Sequence, residues 1–249
     1  MLPVKLILFF YRLKFFFTNP KKSIIHILSQ SEDYSRITIS DLKRYMTDTK
    51  VIIEAGSADG VDTLLFAKNF DKATIFALEP VKKQYDFLLE KFKQFNNIKL
   101  TRVALSSRSE PVSIFIGKSN GELGGMGSSS LLKPTLHNYY FPQINFSETQ
   151  ITEAVTLDKF IKDNDIEIVD LLWLDIQGME LEVIQSSELI IRRKVKLIHL
   201  EISRIKFYDA TPSEKNIRLF LKNIGFRCVI DKVGAISGNA LYLNTNIKN

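Results

Sequence analysis

Three carboxylates stand at the ends of apolar runs in this sequence. Glu54 lies in VIIEAGSADG (residues 51–60), Glu79 in ATIFALEP (73–80) and Asp175 in IVDLLWLDIQG (168–178). Short apolar or β-branched runs bounded by Gly or Pro predict buried strands. The carboxyl ends of parallel strands meet at the edge of a sheet where α/β proteins bind ligands. The three acids are therefore predicted to surround one ligand, and a positively charged ligand suits them.

The turn after the first run differs from a dinucleotide-binding turn. Such a turn has the pattern G-x-G-x-x-G and holds a pyrophosphate on backbone N–H groups. Here Glu54, Gly56 and Gly60 form E-x-G-x-x-x-G, and Ala58 replaces the middle glycine. Glu54 and Asp59 would repel a pyrophosphate. S-adenosylmethionine carries a sulfonium and an ammonium but no phosphate, so the turn predicts this cofactor rather than a nicotinamide dinucleotide.

The second acid supports the same cofactor, and both acids belong to a familiar motif pair. Glu79 follows Glu54 by 25 residues, where an acid of a nucleotide-binding α/β protein binds ribose hydroxyls. The stretch IIEAGSADG…FALEP resembles motifs I and II of class I S-adenosylmethionine-dependent methyltransferases. Residues 155–185 resemble the FkbM family of that class, in which a strand ends in D-[VI]-x-G-x-E. The family's usual glutamate before the glycine is Gln177 in this chain.

The resemblance covers roughly residues 50–205 and implies a set of cofactor-binding residues. Val103 and Ala104 would lie by the adenine, and Asp175 beside the transferable methyl group. The implied cofactor-binding residues are Glu54, Gly56, Ser57, Gly60, Glu79, Pro80, Val103, Ala104, Asp175 and Gln177.

The elements that must position these residues alternate regularly from residue 50 onward. Strand-like runs and amphipathic stretches follow each other as βαβαβ, and the alternation resumes with IVDLLWLDIQG and VKLIHLEIS. FRCVID and NALYLN predict an antiparallel pair at the end of the chain. We therefore predict an α/β, Rossmann-like, doubly wound sheet of seven mostly parallel strands with an antiparallel C-terminal strand. Residues 50–249 would form this domain, and residues 1–49 an N-terminal helical, hydrophobic arm.

Methyl transfer to a hydroxyl gains from a general base, and four residues are candidates. Asp175 is preferred on position, although it could instead cap the following helix. Glu201 also ends a strand, where a carboxylate needs a partner or a function. His137 is a further candidate, whereas His199 is expected to be a core residue. Two carboxylates are too few to predict a metal, so none is predicted.

A Gly- and Ser-rich segment, residues 117–133, predicts a loop that shapes the acceptor site. An exposed loop without a ligand role is the alternative. The predicted acceptor-binding residues are Ser128, Ser129, Ser130 and His137.

Composition leaves the partners open. The formal net charge is +6, which fits either an anionic partner or ordinary solubility. Residues 1–17 interleave Phe with Lys and Arg, which is typical of a peripheral membrane anchor but equally of a helix packed on its own domain. The single cysteine, Cys228, fits a reducing cytoplasm. The expected location is therefore cytoplasmic, with possible contact at the inner face of the membrane.

The sequence thus predicts an O-methyltransferase that acts on a saccharide or a related biosynthetic product, with a small molecule or glycan as acceptor. An RNA 2′-O-methyltransferase and a non-catalytic, membrane-associated protein are the alternatives. A nucleic-acid partner is not favoured, because the N-P-P-Y turn of base N-methylating enzymes is replaced by D-I-Q-G at residues 175–178.

Overall fold

The computed structural model describes residues 35–119 and 126–247. Eleven strands run through these residues. Their bounds are β1 Val51–Ala55, β2 Thr74–Leu78, β3 Ile98–Thr101, β4 Ala104–Leu105, β5 Val112–Lys118, β6 Asn145–Thr152, β7 Ala154–Val155, β8 Val169–Leu174, β9 Val195–Ser203, β10 Phe226–Val233 and β11 Ser237–Asn244.

Eight α-helices and one 3-10 turn connect the strands in the described part of the chain. The 3-10 turn is Met126–Ser128. The helices are α1 Ile39–Lys43, α2 Val61–Asn69, α3 Lys82–Phe92, α4 His137–Tyr140, α5 Leu157–Asp163, α6 Glu180–Ser186, α7 Glu188–Lys194 and α8 Glu214–Asn223.

Seven strands form one sheet in the order β10-β11-β9-β8-β1-β2-β3. All neighbours from β9 to β3 are parallel, whereas β11 lies antiparallel between β9 and β10. Strand order reverses between β1 and β8, which is where a doubly wound sheet opens a ligand crevice. The predicted fold class is confirmed, including the antiparallel C-terminal strand.

Helices cover both faces of this sheet. Ile52, Leu171 and Trp173 point to the side where α1 and α2 pack, and Ile53 and Leu172 to the side of α5, α6 and α8. Strand β8 lies between these layers, and every residue from Val169 to Leu174 is buried. A parallel strand buried on both faces needs an unbroken apolar run, which is the feature that predicted it.

The structure corrects two local expectations and adds one strand. The sequence IKLTRVAL, residues 98–105, predicts one strand, but β3 ends at Thr101 and β4 pairs with β7 in a small separate sheet. The sequence MELEVIQSSELI, residues 179–190, predicts one helix, which is divided at Ser187 into α6 and α7. The sequence EPVSIFIG, residues 110–117, predicts a short extra strand, and β5 forms there; its antiparallel partner β6 was not predicted, because burial alternates weakly along it.

The described end of the arm, residues 35–49, packs on the domain. The sequence SDLKRYM, residues 40–46, predicts a helix capped by Ser40, but α1 begins after Thr38, because Thr38 and Asp41 form a reciprocal capping box. Asp41 also forms an ion pair with Lys232 of β10. Residues 1–34, including the predicted membrane contact of residues 1–17, lie outside the described residues. Among residues 35–119 and 126–247, no helix has the length and apolar character that crossing a bilayer requires.

Candidate active site

Backbone N–H groups of the turn after β1 donate hydrogen bonds to other atoms of the protein. Gly56 and Ser57 both donate N–H to the carbonyl of Leu78, over 3.0 and 3.2 Å. Gly60 donates to the carbonyl of Ser57, and Ala58 donates to Glu79 Oε2 over 2.9 Å. A pyrophosphate cradle needs such donors free and pointing at the ligand. The turn is therefore built for a ligand without phosphate in this position.

Close backbone contact joins this turn to the end of β8. Gly56 has φ +88°, and a Cβ added there would lie 1.9 Å from the carbonyl oxygen of Asp175. The Asp175 N–H in turn donates to the carbonyl of Ala55 over 3.1 Å. Only glycine adopts this conformation and leaves this space, so Gly56 allows Asp175 to reach the first turn.

Glu79 forms the wall of the crevice at the end of β2. Its Oε1 accepts the N–H of Val81 over 2.8 Å, and its Oε2 accepts the N–H of Ala58. Burial raises the pKa of Glu79 to about 7. Each carboxylate oxygen has two lone pairs, so both oxygens can still accept a ligand hydroxyl. The two backbone bonds fix the carboxylate in place for that purpose.

A cleft lies between the first turn, the end of β2 and the β5–β6 strand pair. Strand β6 is joined to the end of β2 through Gln150 and Thr152, which both donate to the carbonyl of Pro80. Six of the predicted cofactor residues line this cleft: Gly56, Glu79, Pro80, Val103, Ala104 and Asp175. Lining residues that were not predicted to bind a ligand are Ala55, Ala58, Leu78, Gln84, Leu105, Ile114, Gly127, Leu131, Ile176 and Met179.

Glu54, Ser57 and Gly60 lie beneath the turn and do not line the cleft. Glu54 is 2% exposed and accepts a hydrogen bond from Thr63 Oγ1 of α2. Burial raises the pKa of Glu54 to about 8, so at pH 7 the free protein holds this residue protonated. Ser57 is buried, and Gly60 caps α2 with φ +73°. These three residues shape the turn.

A second, larger and more open cleft adjoins the first. Asp175 and Gly127 line both clefts, so the end of β8 stands where they meet. The predicted base candidates Glu201 and His137 and the predicted acceptor residue Ser128 line the open cleft, whereas Ser129 and Ser130 line the first one.

Gln177 joins the two predicted catalytic carboxylates. Its Nε2 donates to Asp175 Oδ1 over 2.8 Å and to Glu201 Oε2 over 3.3 Å. The two amide protons therefore serve two different acids, which fixes the amide orientation. Gln177 lines the open cleft and not the cofactor cleft. A glutamate here, as in the family pattern, would instead add a third carboxylate to this cluster.

Tyr208 and Ser130 hold Gln177 from the other side. The Tyr208 hydroxyl lies 3.0 Å from Gln177 Oε1 and 2.8 Å from the carbonyl of Ser128, two acceptors that share its one proton. Ser130 is buried, and its hydroxyl donates to the carbonyl of Gln177 over 2.8 Å. The described part of the serine-rich loop is thus fastened to Gln177.

Two carboxylates at the end of β8 have raised pKa values for the same reason. Burial raises the pKa of Asp175 to about 6, and the nearby Asp62 adds to this. Burial also raises the pKa of Glu180 to about 7. Glu180 accepts the N–H groups of Ile176 and Gly178 at the start of α6. Glu180 therefore fixes the backbone that carries Asp175 and Gln177.

The two candidate histidines have different surroundings. His199 lies in the core, stacked on Trp173 with ring centroids 3.3 Å apart, and burial lowers its pKa to about 3. His137 is 4% exposed and lies among the rings of Phe141, Phe146 and Tyr208. Burial lowers the pKa of His137 to about 4, so both imidazoles are neutral at pH 7.

Tyr208 and Gln84 carry no sequence signal for their places in the site. Tyr208 lies in an irregular segment after β9, and Gln84 on the buried face of α3. Within the described residues, no group of three or more His, Cys, Asp or Glu side chains is arranged to hold a metal ion.

The model of the methyltransferase FkbM domain matches residues 54–228. The chain belongs to the FkbM methyltransferase family. The matched region therefore runs from the end of β1 to the start of β10 and includes the whole lining of the cofactor cleft. It also includes most of the lining of the open cleft, but not Ser35, Arg36, Ser237 and Asn239. Its cofactor is S-adenosyl-L-methionine. The cofactor cleft fits this molecule, because the Glu79 carboxylate that lines it offers acceptors for ribose hydroxyls and the turn offers no phosphate cradle.

Known proteins resemble the FkbM domain at low identity. The 2-O-methyltransferase NoeI of Sinorhizobium fredii (strain NBRC 101917 / NGR234) is 25% identical over 198 residues, 79% of this chain and 80% of NoeI. Aeropyrum pernix fibrillarin, solved with natively bound S-adenosyl-L-methionine, is 13% identical with a TM-score of 0.44, covering 79% of this chain and 66% of its own. A methyltransferase from Aquifex aeolicus is 12% identical with a TM-score of 0.42, covering 86% of this chain and 97% of its own.

Proposed function

We propose that the protein transfers the methyl group of S-adenosylmethionine to a hydroxyl oxygen of a saccharide or a related biosynthetic product. One observation carries the proposal: Asp175 lines both the cofactor cleft and the open cleft. A carboxylate at this junction can meet a hydroxyl that approaches the cofactor from the open side. The similarity to an enzyme named a 2-O-methyltransferase supports oxygen as the accepting atom.

In the proposed reaction Asp175 is the general base. When bound, the cofactor supplies a methyl group bonded to a sulfonium sulfur; the bond between them breaks, and the rest of the cofactor leaves as a neutral thioether. The acceptor oxygen forms a bond to the methyl carbon while its proton passes to the Asp175 carboxylate. Gln177 binds Oδ1 of Asp175, which leaves Oδ2 for the proton. With a pKa of about 6, the Asp175 carboxyl is mostly ionised at pH 7. This pKa is also close enough to the working pH for the carboxylate to accept a proton in the reaction.

We propose that Glu201 helps to bind the acceptor. It lines the open cleft, and Gln177 holds it at the same amide that binds Asp175. A carboxylate placed there can accept a hydrogen bond from a second hydroxyl of the acceptor. Aromatic rings at the far wall, those of Phe141, Phe207 and Tyr208, offer apolar faces on which a sugar ring can stack. A mixed polar and aromatic lining of this kind supports a saccharide acceptor.

The test is transfer of labelled methyl groups. The protein is incubated with S-adenosylmethionine labelled on its methyl group, together with separate glycan, lipid and RNA fractions of a cell extract. We expect label in the glycan fraction or in a small saccharide, and no label with the Asp175→Asn variant. Label in RNA alone, or transfer that Asp175→Asn leaves unchanged, would overturn the proposal.

We further propose a cytoplasmic enzyme whose arm, residues 1–49, precedes the catalytic domain of residues 50–249, with peripheral membrane contact through residues 1–17. The Phe, Lys and Arg residues of that segment support the contact. Deleting residues 1–17 should abolish co-sedimentation with anionic liposomes. A truncated protein that still sediments with them would remove the membrane proposal and leave the enzymatic one intact.

A further inference from the structure

Gln177 has an unusual backbone conformation for its residue type. Its φ is +53°, in the left-handed region that residues with a side chain rarely adopt. A residue stays in such a conformation where its surroundings fix it, and such residues concentrate at functional sites. Here the buried Ser130 hydroxyl donates to the Gln177 carbonyl over 2.8 Å and accepts the N–H of Leu132 over 3.0 Å. The serine-rich loop therefore fixes the backbone of Gln177.

The surroundings of the Gln177 side chain also fix the orientation of its amide. Nε2 lies 2.8 Å from Asp175 Oδ1 and 3.3 Å from Glu201 Oε2. If the amide were turned over, its oxygen would face two carboxylate oxygens, and no donor would serve an ionised acid. On the other side Oε1 lies 3.0 Å from the Tyr208 hydroxyl, whose pKa is raised by burial and by nearby carboxylates, so that it keeps its proton.

The hydrogen bond to Oδ1 limits the movement of the Asp175 carboxylate. The last torsion of an aspartate side chain is soft, so a carboxylate without such a contact turns easily. Asp175 lines both clefts, and a turn of this kind would move its oxygens relative to the place where cofactor and acceptor meet. Gln177 itself lines the open cleft and not the cofactor cleft, which favours a role other than the predicted binding of the cofactor.

We propose that Gln177 is a positioning residue for the base: its amide holds the Asp175 carboxylate at the junction of the clefts, and Tyr208 and Ser130 act through Gln177. This inference rests on the proposed function, since it assigns a role in the same reaction. It gives Ser130 a different role from the predicted binding of the acceptor, because the hydroxyl proton of Ser130 is already used on Gln177.

The Gln177 amide also affects the protonation of Asp175. The titratable and charged groups around this carboxyl are Glu54 of β1, Asp62 of α2 with its partner Arg36, Glu180 of α6, Glu201 of β9 and Tyr208. Burial and Asp62 raise the pKa of Asp175 to about 6, whereas the hydrogen bond from Gln177 acts in the opposite direction. Loss of this donor destabilises the ionised carboxyl and should raise its pKa by about 1 more.

The first test follows the Asp175 carboxyl by ¹³C NMR, which requires no acceptor. Full-length protein with ¹³C-labelled aspartate is titrated from about pH 4 to 9, both free and saturated with S-adenosylmethionine, and Asp175→Asn assigns the signal. Gln177→Met keeps the side-chain length without a donor, and it should raise the titration midpoint by about 1 in the same cofactor state. Gln185→Met, an exposed position on α6, is the matched control and should leave the midpoint unchanged.

The second test measures the initial rate of labelled methyl transfer to the glycan fraction. Gln177→Met should lower this rate about 100-fold at pH 7, with a larger loss at pH 6 than at pH 8, while the Kd for S-adenosylmethionine stays within about twofold. The double variant Gln177→Met/Tyr208→Phe should be no slower than Gln177→Met alone, because Tyr208 acts through Gln177. Gln185→Met should transfer methyl groups at the unmodified rate.

Three results would each overturn the inference. They are an unchanged Asp175 midpoint in Gln177→Met, a double variant whose loss is the product of the two single losses, and a cofactor Kd that rises as much as the rate falls. If Gln177→Met does not fold, Gln177→Asn replaces it in the same assays. Asn tolerates the left-handed conformation and draws the amide away from Asp175, so the midpoint should again rise, and an unchanged midpoint would again overturn the inference.

Failure of the proposed function gives a different result from failure of this inference. If the unmodified protein transfers no methyl group to any hydroxyl, the proposed function is overturned. The Asp175 titration then still decides whether the Gln177 amide holds this carboxylate.

Discussion

Replacing Gly56 by Ala tests how tightly the first turn and Asp175 depend on each other. The added Cβ would lie 1.9 Å from the Asp175 carbonyl oxygen, so one of the two backbones must move by at least about 1.1 Å to reach a tolerable 3.0 Å. The φ of +88° adds about 1–2 kcal/mol of strain for any residue with a Cβ. The hydrogen bond from Asp175 N–H to Ala55 would also lengthen.

These effects should appear in both activity and stability. A displacement of this size at a catalytic carboxylate lowers kcat by about 100-fold. Strain and the weakened hydrogen bond together cost about 3 kcal/mol, which corresponds to a drop of roughly 6–12 °C in Tm for a chain of this length. Initial-rate kinetics and differential scanning calorimetry measure the two quantities on the same preparation.

Gly234→Ala is the matched control, because Gly234 lies in the β10–β11 turn and a Cβ there would meet its nearest atom at 3.3 Å. We expect both measurements to stay near those of the unmodified protein in this variant. A Gly56→Ala protein with unchanged kcat and Tm would refute the reasoning, because the turn and β8 would then be free to separate without consequence.

Four further predictions concern single side chains. Glu79→Ala should raise the Kd for S-adenosylmethionine about 10- to 100-fold by calorimetry, because a charge-assisted pair of hydrogen bonds is lost; the exposed Glu90→Ala should not change it. The rate should fall as pH drops below about 6, since protonation of Asp175 removes the base, and a flat pH–rate profile between pH 5 and 8 would contradict its role. Folding raises the pKa of Glu54 from 4.5 to about 8, so between these pH values the folded protein holds a proton that the unfolded chain has lost. The Tm should therefore fall as the pH rises from about 4.5 to 8. Glu54→Gln should make the Tm less dependent on pH in this range. Tyr208→Phe should lower kcat about tenfold while the Kd for the cofactor stays within about twofold, because Tyr208 orients Gln177 outside the cofactor cleft; equal changes in both would show a general loss of structure.

Patterns of strongly buried residues allowed the fold to be predicted from sequence. The unbroken run of β8 and the glycine-bounded run of β1 have no other reasonable structure in a chain of this kind. Helix α2 shows where the pattern is misleading. Val61 and Leu65 fit the apolar spacing of a helix in the sequence but are exposed, whereas Thr63 is buried and donates a hydrogen bond to Glu54. A polar residue that serves a buried partner cannot be recognised by hydropathy.

The candidate site was predictable where residues end strands and not where loops return to it. Glu79 and Asp175 follow from strand ends and spacing, and both line the cofactor cleft. Tyr208 reaches the site from an irregular segment, and no local pattern places its hydroxyl 3.0 Å from Gln177. The departure at Gln177 was visible in the sequence, but its contact with both Asp175 and Glu201 depends on tertiary packing.

The measurement that tests the central claim most directly is the identity of the atom that receives the methyl group. The protein is incubated with S-adenosylmethionine carrying a ¹³C-labelled methyl group and with its glycan acceptor fraction, and the product is hydrolysed and analysed by NMR and mass spectrometry. The account predicts a labelled O-methyl monosaccharide, formed by the unmodified protein and not by Asp175→Asn. A label bonded to nitrogen or carbon, or one found on a nucleic acid, would contradict it.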